Sequence, residues 1–252
     1  TKRGIELAID TINATGVRGR PLRVAFVDDR STPADVSKLV RELIERDRVL
    51  AVIGEIASAR SLPGALVAAQ KRVPMITPSS THAGVTAASE YAFRTCFIDG
   101  AQGAAAADFA VNVRKLRRLA IVHAESDPYS VLLADSFRGA VKGFGATIVA
   151  EVKAQDASLD FAEAVKGLKA ARPQMIYAPL YYTQMVALGR AARQVGLKNE
   201  IFLGGDGWAG DERLLDEMEG GYFADHWAEG FPTAISKRFA AAYREKYQLT
   251  PT

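Results

Sequence analysis

An apolar run passes into a glycine-rich turn at Ile201-Phe202-Leu203-Gly204-Gly205-Asp206-Gly207-Trp208. A β-branched and aromatic run that ends in glycines is typical of a buried strand followed by a tight turn. Open α/β sheets bind ligands beyond the carboxyl ends of their strands. The pattern therefore predicts that Asp206 lies where a ligand would meet it, and that its carboxylate suits a cation such as an ammonium group.

Outward from this stretch, short apolar runs alternate with amphipathic helical segments. Strands separated by helices of this length predict parallel sheets built from right-handed crossovers. Because one doubly wound sheet of about nine strands is uncommon, we expect two sheets. We predict strands at 22–27, 49–53, 74–77, 92–97, 119–123, 146–152, 174–178, 201–203 and 222–226, and helices at 4–14, 34–47, 61–72, 100–114, 130–143, 159–171, 183–195, near 211–217 and at 233–247.

Two glycine-containing connections mark where the chain crosses between the expected lobes, at 99–103 and at 230–232. The pattern predicts a first lobe of residues 1–98 with 233–252, and a second lobe of residues 99–232. The first helix has no strand before it, and the chain ends where another element is expected. We therefore expect the first lobe to lack its opening strand and a C-terminal part.

Composition favours a globular protein and argues against nucleic-acid-binding and membrane-spanning proteins. Of the 252 residues, 48% are hydrophobic and 24% are charged, which is close to the average for globular domains. The formal net charge is only +3 and the basic residues are dispersed, so we predict no nucleic-acid partner. No apolar run approaches the ~20 residues that a membrane span needs. A single cysteine, Cys96, excludes an intrachain disulfide.

Polar side chains recur where the predicted strands end. Hydroxyl groups and backbone N–H groups near helix N-termini suit a ligand carboxylate, and an acidic side chain with a free carbonyl suits an ammonium group. Each charge-assisted hydrogen bond contributes about 1.5–3 kcal/mol. The set therefore predicts a site for a zwitterion, with aromatic rings packing its remainder. The candidate residues are Ser58, Ser79, Thr81, Tyr129, Tyr181 and Asp206.

Each candidate also has a structural alternative. Ser58 and the run 79–81 are suitable as helix caps, the two tyrosines as half-buried surface rings, and Asp206 as a turn former that bonds its own backbone. The joint arrangement favours the binding interpretation, because all six residues follow strands.

An enzymatic interpretation is weaker. Residues 205–210 satisfy G-x-G-x-x-G, with Asp225 twenty residues after Gly205, but Asp206 would repel a pyrophosphate and the motif lies late in the chain. No nucleophile elbow or P-loop is present. His82, His123 and His226 lack metal-ligand spacing, so we predict structural roles for them. We predict no enzyme, no cofactor and no metal.

A series of motifs resembles one known family. Residues 4–14 resemble its first helix, 19–29 its second strand, 52–54 its third strand, 74–81 its ligand loop, 93–95 its first crossover and 120–129 the start of its second lobe. Gly204-Gly205-Asp206-Gly207-Trp208 is similar to a common signature of the same family. Together they resemble the type I periplasmic binding proteins of branched-chain amino acid ABC transporters, the Leu/Ile/Val-binding family.

The resemblance implies an α/β fold with two Rossmann-like lobes, parallel sheets flanked by helices, and a hinge between the lobes. It implies that Ser58 and Thr81 bind the α-carboxylate of an amino acid, and that the Ser79 carbonyl, the Thr81 hydroxyl and Asp206 bind its ammonium group. Tyr129 and Tyr181 would close over the ligand. The implied function is periplasmic or extracytoplasmic delivery of a branched-chain or other hydrophobic amino acid to a membrane permease, by a monomer. The alternative is a ligand-sensing domain of a regulator or receptor.

Overall fold

The computed structural model describes residues 1–87, 89–198, 201–209 and 217–251 of the chain. The chain divides into two compact units. One unit combines Thr1–Asp28 with Trp227–Thr252, and the other comprises Asp29–His226. The predicted lobes, 1–98 with 233–252 and 99–232, remain a prediction.

The smaller unit contains the first and last helices. Helix α1 (Lys2–Asn13) contacts helix α9 (Ala234–Tyr247), and the Tyr247 hydroxyl donates to the Arg3 carbonyl at 2.9 Å. The predicted strand at 22–27 is wrong, because this segment forms no strand. The main chain of Leu22 instead bonds the side-chain amide of Asn13, at 2.7 and 2.9 Å, so its hydrogen-bonding groups are not used in a ladder.

The larger unit begins with a three-stranded parallel sheet. Its strands are β1 (Val52–Ile53), β2 (Met75–Thr77) and β3 (Ala92–Arg94), in that order. Helix α2 (Pro33–Glu45) begins with proline, which lacks the N–H that a first helical turn leaves unpaired. It packs against helix α3 (Ser58–Lys71), and the short helix α4 (Gly84–Ala87) follows β2. Their shared core includes Val36, Val40, Val52, Val67 and Met75.

A second parallel sheet of five strands lies in the same unit. The strands are β4 (Arg118–Ala124), β5 (Thr147–Ala154), β6 (Met175–Ala178), β7 (Phe202–Gly204) and β8 (Tyr222–Phe223), in the order β5-β4-β6-β7-β8. Helices α5 (Asp99–Asp108), α6 (Pro128–Gly143), α7 (Ala162–Ala171) and α8 (Tyr182–Gln194) accompany it. Alternate residues of β6 enter two separate cores, with Ile176 in one and Tyr177 in the other, so both faces of the sheet are buried.

The predicted division into two parallel sheets is confirmed. Some bounds differ. The strand predicted at 92–97 ends at Arg94, and the strand predicted at 222–226 ends at Phe223. The helix predicted at 100–114 continues beyond Asp108 as a π-helical turn, Phe109–Val113. Most of the helix predicted near 211–217 lies outside the described residues.

Parallel strands align their carboxyl ends at one edge of a sheet, and this places the candidate residues. Ser58 follows β1, and the loop 78–83 follows β2. Tyr129, Tyr181 and Asp206 follow β4, β6 and β7. Among the described helices, none is both long and apolar enough to span a bilayer.

Candidate functional site

Asp206 is a buried carboxylate at the centre of the site. It follows β7 and starts a single 3-10 turn, Asp206–Trp208, and only 8% of the residue is exposed. The side-chain amide of Gln102, in α5, donates to Asp206 Oδ1 at 2.7 Å. The carbonyl oxygen of the same amide accepts from the Asp206 backbone N–H at 3.1 Å. Gln102 thus fixes both the main chain and the side chain of Asp206.

The glycines around Asp206 are required by close packing. A Cβ at Gly205 would lie 2.5 Å from the Tyr129 hydroxyl, and one at Gly207 would lie 2.9 Å from the same oxygen. A Cβ at Gly204 would overlap the indole of Trp208. Real Cβ atoms do not approach other atoms so closely, so any larger residue would displace the turn. The glycines therefore let the main chain lie directly against its neighbours.

Tyr129 and Tyr181 pack as a stacked pair, with ring centroids 5.0 Å apart. Pro128 and the cap formed by Asp127, whose carboxylate accepts from Ser130 N–H at 3.0 Å, start α6 and thereby position Tyr129. The Tyr129 hydroxyl accepts from Gly207 N–H at 2.8 Å, so it supports the Asp206 turn. The Tyr181 hydroxyl is buried and has no hydrogen-bond partner among the described residues.

Hydroxyl groups line the facing loop between β2 and β3. The Ser58 hydroxyl oxygen, at the first position of α3, accepts from His82 N–H at 3.2 Å. Ser80 is engaged structurally, because its hydroxyl donates to the Glu55 carbonyl at 3.0 Å. Thr81 is fully buried, and its hydroxyl has no hydrogen-bond partner of good geometry in the described part of the chain. The Thr81 hydroxyl is thus a buried polar group whose neighbour is the Asp99 carboxyl.

His226 connects the two sides of the site. Its Nε2 lies 3.1 Å from Asp206 Oδ2 and 3.2 Å from Ser79 Oγ. Its ring lies against Phe97, with centroids 4.4 Å apart. The structural role predicted for His226 stays a prediction, and the structure places the imidazole in contact with two of the candidate residues. His226 follows β8, so the strand-end rule applied to the other candidates could have found it.

The ionisable groups of the site respond to burial and to one another. Burial, opposed by the neighbouring Thr81 hydroxyl, raises the pKa of Asp99 to about 7. Burial alone would lower the pKa of His226, but the hydrogen bond and negative charge of Asp206, together with Asp225, raise it above its ordinary value. Burial also raises the pKa of Tyr181 well above its ordinary value, so its hydroxyl keeps its proton and can donate.

The sequence profile of the family described as periplasmic binding protein matches residues 1–252. The chain belongs to the periplasmic binding protein family. Its resemblance to the Leu/Ile/Val-binding proteins is confirmed by a Leu/Ile/Val-binding protein homologue of Brucella melitensis biotype 1, which is 30% identical over 213 residues. That alignment covers 84% of this chain and 57% of the relative. The chain thus spans little more than half the length of this relative.

Solved structures confirm the fold of this periplasmic binding protein. A leucine-binding protein of Thermotoga maritima is 30% identical and superposes with a TM-score of 0.91, covering 99% of this chain and 71% of the other. A branched-chain amino acid substrate-binding protein of Streptococcus pneumoniae, solved with isoleucine, is 27% identical with a TM-score of 0.92, covering 99% and 72%. The type I α/β architecture with parallel sheets flanked by helices is therefore established. The family is one of binding proteins, which agrees with the prediction of no enzyme.

The structure of this periplasmic binding protein brings all six predicted residues into one connected set. Ser79 reaches Asp206 through His226, and Tyr129 reaches the Asp206 turn through Gly207 and stacks on Tyr181. Ser58 joins the loop that carries Thr81. Sequence reasoning missed Gln102. Its only signal was an amide among the small residues of α5.

The structure also explains the sequence features that could have indicated an enzyme. In the glycine motif, the N–H groups of Asp206 and Gly207 donate to Gln102 and Tyr129, so neither is free for a phosphate. Burial raises the pKa of the Cys96 thiol to about 11, which disfavours a nucleophilic thiolate. Among the described residues, no cluster of His, Cys, Asp and Glu could hold a metal ion.

His82 and His123 form hydrogen bonds within the fold, and their predicted structural roles stay predictions. His82 Nδ1 accepts from Gly84 N–H at 3.1 Å, within its own loop. His123 lies between the Ala124 carbonyl at 2.8 Å and Glu151 at 3.0 Å. Neither imidazole contacts Asp206 through these bonds.

Proposed function

We propose that the whole protein is the extracytoplasmic solute-binding component of an ABC importer, and that it binds an amino acid with a hydrophobic side chain. The observation that carries this proposal is a buried carboxylate, Asp206, across from a hydroxyl-lined loop that includes the buried Thr81. One side is suited to an ammonium group and the other to a carboxylate. A free amino acid carries both groups on one carbon atom.

The burial and fixed orientation of Asp206 support its proposed role in binding the ligand ammonium group. The Asp206 side chain is only 5% exposed, and its two hydrogen bonds with Gln102 fix the orientation of the carboxylate. A charged group presented in a fixed orientation in a low-dielectric site binds an opposite charge more strongly than a solvated one does. The Ser79 carbonyl is the second acceptor that we propose for the ammonium group.

Hydrogen-bond donors support the proposed binding of the ligand carboxylate on the other side of the site. Ser58 and Thr81 supply hydroxyls, and Ser58 lies in the first turn of the 14-residue helix α3. The positive end of a helix dipole favours an anion at this place. Tyr181 adds a hydroxyl that is buried without a partner among the described residues. We propose that these groups bind the α-carboxylate, while the stacked tyrosine rings cover the ligand side chain.

The relatives support the transport role. The similar proteins from Brucella and Thermotoga are described as Leu/Ile/Val-binding and leucine-binding, and the Streptococcus protein binds isoleucine in its crystal structure. By this likeness we propose a membrane permease as the partner, an extracytoplasmic location and a monomeric state. Closure of two lobes about a hinge would create the form that the permease recognises.

A second candidate ligand is a carboxylate that has no ammonium group. The observation in its favour is the contact between His226 Nε2 and Asp206 Oδ2 at 3.1 Å, because a protonated imidazole supplies a positive partner for the Asp206 carboxylate. A ligand with only a carboxylate would use Ser58, Thr81 and Tyr181 and leave that pair intact.

A thermal-shift screen of the purified whole protein tests both ligand classes. The panel contains the twenty amino acids, the same aliphatic skeletons without the amino group, benzoate, and NAD as a dinucleotide control. We expect leucine, isoleucine or valine to raise the Tm, because binding to the native state alone stabilises it by RT ln(1 + [L]/Kd). Stabilisation by benzoate or aliphatic acids but by no amino acid would contradict the proposal.

A further inference from the structure

His226 occupies the place beside Asp206 where a ligand ammonium group would bind. Its Nε2 is within hydrogen-bond distance of both Asp206 Oδ2, at 3.1 Å, and Ser79 Oγ, at 3.2 Å. Asp206 Oδ1 is already taken by Gln102 at 2.7 Å. Every Asp206 oxygen therefore has a protein partner, and the partner on Oδ2 is the one whose charge can change.

We propose that His226 is the specificity-determining residue of the site, and that binding of a ligand ammonium group to Asp206 expels a proton from the His226 imidazole. This inference rests on the proposed function. It adds a stoichiometry, one proton exchanged for one ammonium group, and it assigns selectivity to a residue outside the predicted set.

The charge balance gives the physical reason. Below the pKa of His226 and with no ligand, Asp206 faces a protonated imidazole and the pair is neutral. An incoming ammonium group would place a second positive charge beside the same carboxylate, and like charges in a partly buried site repel strongly. Loss of the imidazole proton restores the balance of one carboxylate and one cation. The neutral ring can still donate from Nε2 to Asp206 or Ser79.

The second nitrogen of the ring favours the same outcome. His226 Nδ1 is buried and has no hydrogen-bond partner within the described part of the chain. In the imidazolium this atom is a donor that is left without an acceptor, which is costly, whereas in the neutral ring it is a bare lone pair. The carboxylate of Asp206, with a further contribution from the charge of Asp225, offsets that cost, and a bound ammonium group competes for the Asp206 carboxylate.

The other titratable groups around the pair are few. Asp225 adds negative charge on the His226 segment itself, and it holds His226 N–H at 2.6 Å. Phe97 and Ser79, which contact the ring from the other elements, carry no charge. Near Asp206 lie Asp99, Cys96 and the tyrosines 129, 177 and 181, and burial raises the pKa of each of these groups. Asp99 is therefore the one other member of this set that changes charge near neutral pH.

Selectivity follows from the proton exchange. A carboxylate ligand without an amino group leaves the Asp206–His226 pair protonated, so its affinity does not rise with pH. An amino acid must displace the proton, so its affinity increases as the pH rises through the pKa of His226. A neutral residue at position 226 would remove the pH dependence of this preference.

Calorimetry with L-leucine at several values from about pH 5.5 to about pH 8.5 tests the proposal, because histidine titrates in this range. In the unaltered protein we expect affinity to weaken by about tenfold for each pH unit below the pKa of His226, with close to one proton released per leucine bound well below that pKa and none well above it. Repeating the titration in buffers of different ionisation enthalpy counts the protons. The variant His226→Gln keeps a hydrogen-bond donor but has no group that titrates. In this variant we expect the affinity for leucine to change by less than about twofold over the same pH range.

Two control variants isolate the effect. His123→Gln removes an imidazole that also pairs with a carboxylate, Glu151, but does not contact Asp206, and it should retain the pH dependence. Asp99→Asn removes the other titration in the same range and should also retain it. Should His226→Gln fail to fold, NMR titration of the unaltered protein replaces it. We expect the pKa of His226 to fall by more than about one unit when leucine saturates the site.

The outcomes separate this inference from the proposed function. Leucine binding with an affinity independent of pH, or with no proton release, overturns the role of His226 and leaves the proposed function intact. Loss of the pH dependence in Asp99→Asn but not in His226→Gln also overturns it. Binding of 4-methylpentanoate or benzoate but of no amino acid overturns the proposed function, and the role of His226 falls with it.

Discussion

Gln102 and Asp206 form two hydrogen bonds with each other, although they are 104 residues apart in the sequence. One bond fixes the Asp206 carboxylate at 2.7 Å and the other fixes its backbone N–H at 3.1 Å. Because both the side chain and the main chain of Asp206 are held, its carboxylate cannot rotate away from the site. Gln102 is therefore a positioning residue for the proposed ammonium-binding group.

Replacing Gln102 by methionine, which has a similar shape and no amide, should weaken leucine binding by about tenfold and destabilise the fold by about 1–3 kcal/mol, because Asp206 N–H is left buried without a partner. Calorimetry gives the affinity and urea unfolding gives the stability. Gln102→Glu, which brings a second carboxylate beside Asp206, should be worse than methionine on both measures. Unchanged leucine affinity in Gln102→Met would contradict the positioning role.

The glycine turn should tolerate no side chain at position 205. Gly205→Ala would place a methyl group against the Gln102 amide and the Tyr129 hydroxyl, and we expect a loss of about 1–3 kcal/mol in the free energy of unfolding. Gly139→Ala is the matched control, because a Cβ there meets no atom within 4 Å and the position is inside α6. This control should be stabilised by about 0.5–1 kcal/mol. Equal stability of the two variants, measured by urea unfolding, would show that the turn is not tightly packed.

Asp99 should make the protein less stable as pH rises. Burial raises the pKa of its carboxyl from the ordinary value of 3.8 to about 7, so between these values the native state binds more protons than the unfolded state. The free energy of unfolding then falls with increasing pH across this window, by at most about 4 kcal/mol from this group, and levels off above it.

Asp99→Asn should remove that slope, and urea unfolding at about pH 5 and about pH 8 measures it. Asp108→Asn, at the exposed far end of the same helix, should keep the slope of the unaltered protein. The same slope in Asp99→Asn and in the unaltered protein would show that Asp99 titrates normally.

Much of the fold could be predicted because it depends on local periodicity. Runs such as 174–178 are apolar throughout and flanked by helical patterns, which is typical of a strand buried on both faces. The segment 22–27 has a similar composition, yet it forms no strand in the described residues. A strand needs a neighbouring ladder, and composition does not report whether one is present.

Only those site residues that directly follow a strand could be predicted from the sequence. The strand-end rule found Ser79, Tyr181 and Asp206 because each follows its strand within a few residues. Gln102 lies inside a helix, and His226 lies beyond a two-residue edge strand. The contact of Gln102 with Asp206 arises from packing between distant segments, which leaves no spacing pattern in the sequence, whereas the strand-end rule would have included His226 had it been extended to β8.

The most direct test of the account compares L-leucine with 4-methylpentanoate, the same skeleton without the amino group, in the unaltered protein and in Asp206→Asn. The amide has the shape of the carboxylate but not its charge. We predict that the unaltered protein prefers leucine by at least about tenfold, and that Asp206→Asn loses at least about tenfold in leucine affinity but little for the acid, since each tenfold corresponds to about 1.4 kcal/mol. Leucine binding with unchanged affinity in Asp206→Asn would contradict the central claim that this carboxylate binds the ligand ammonium group.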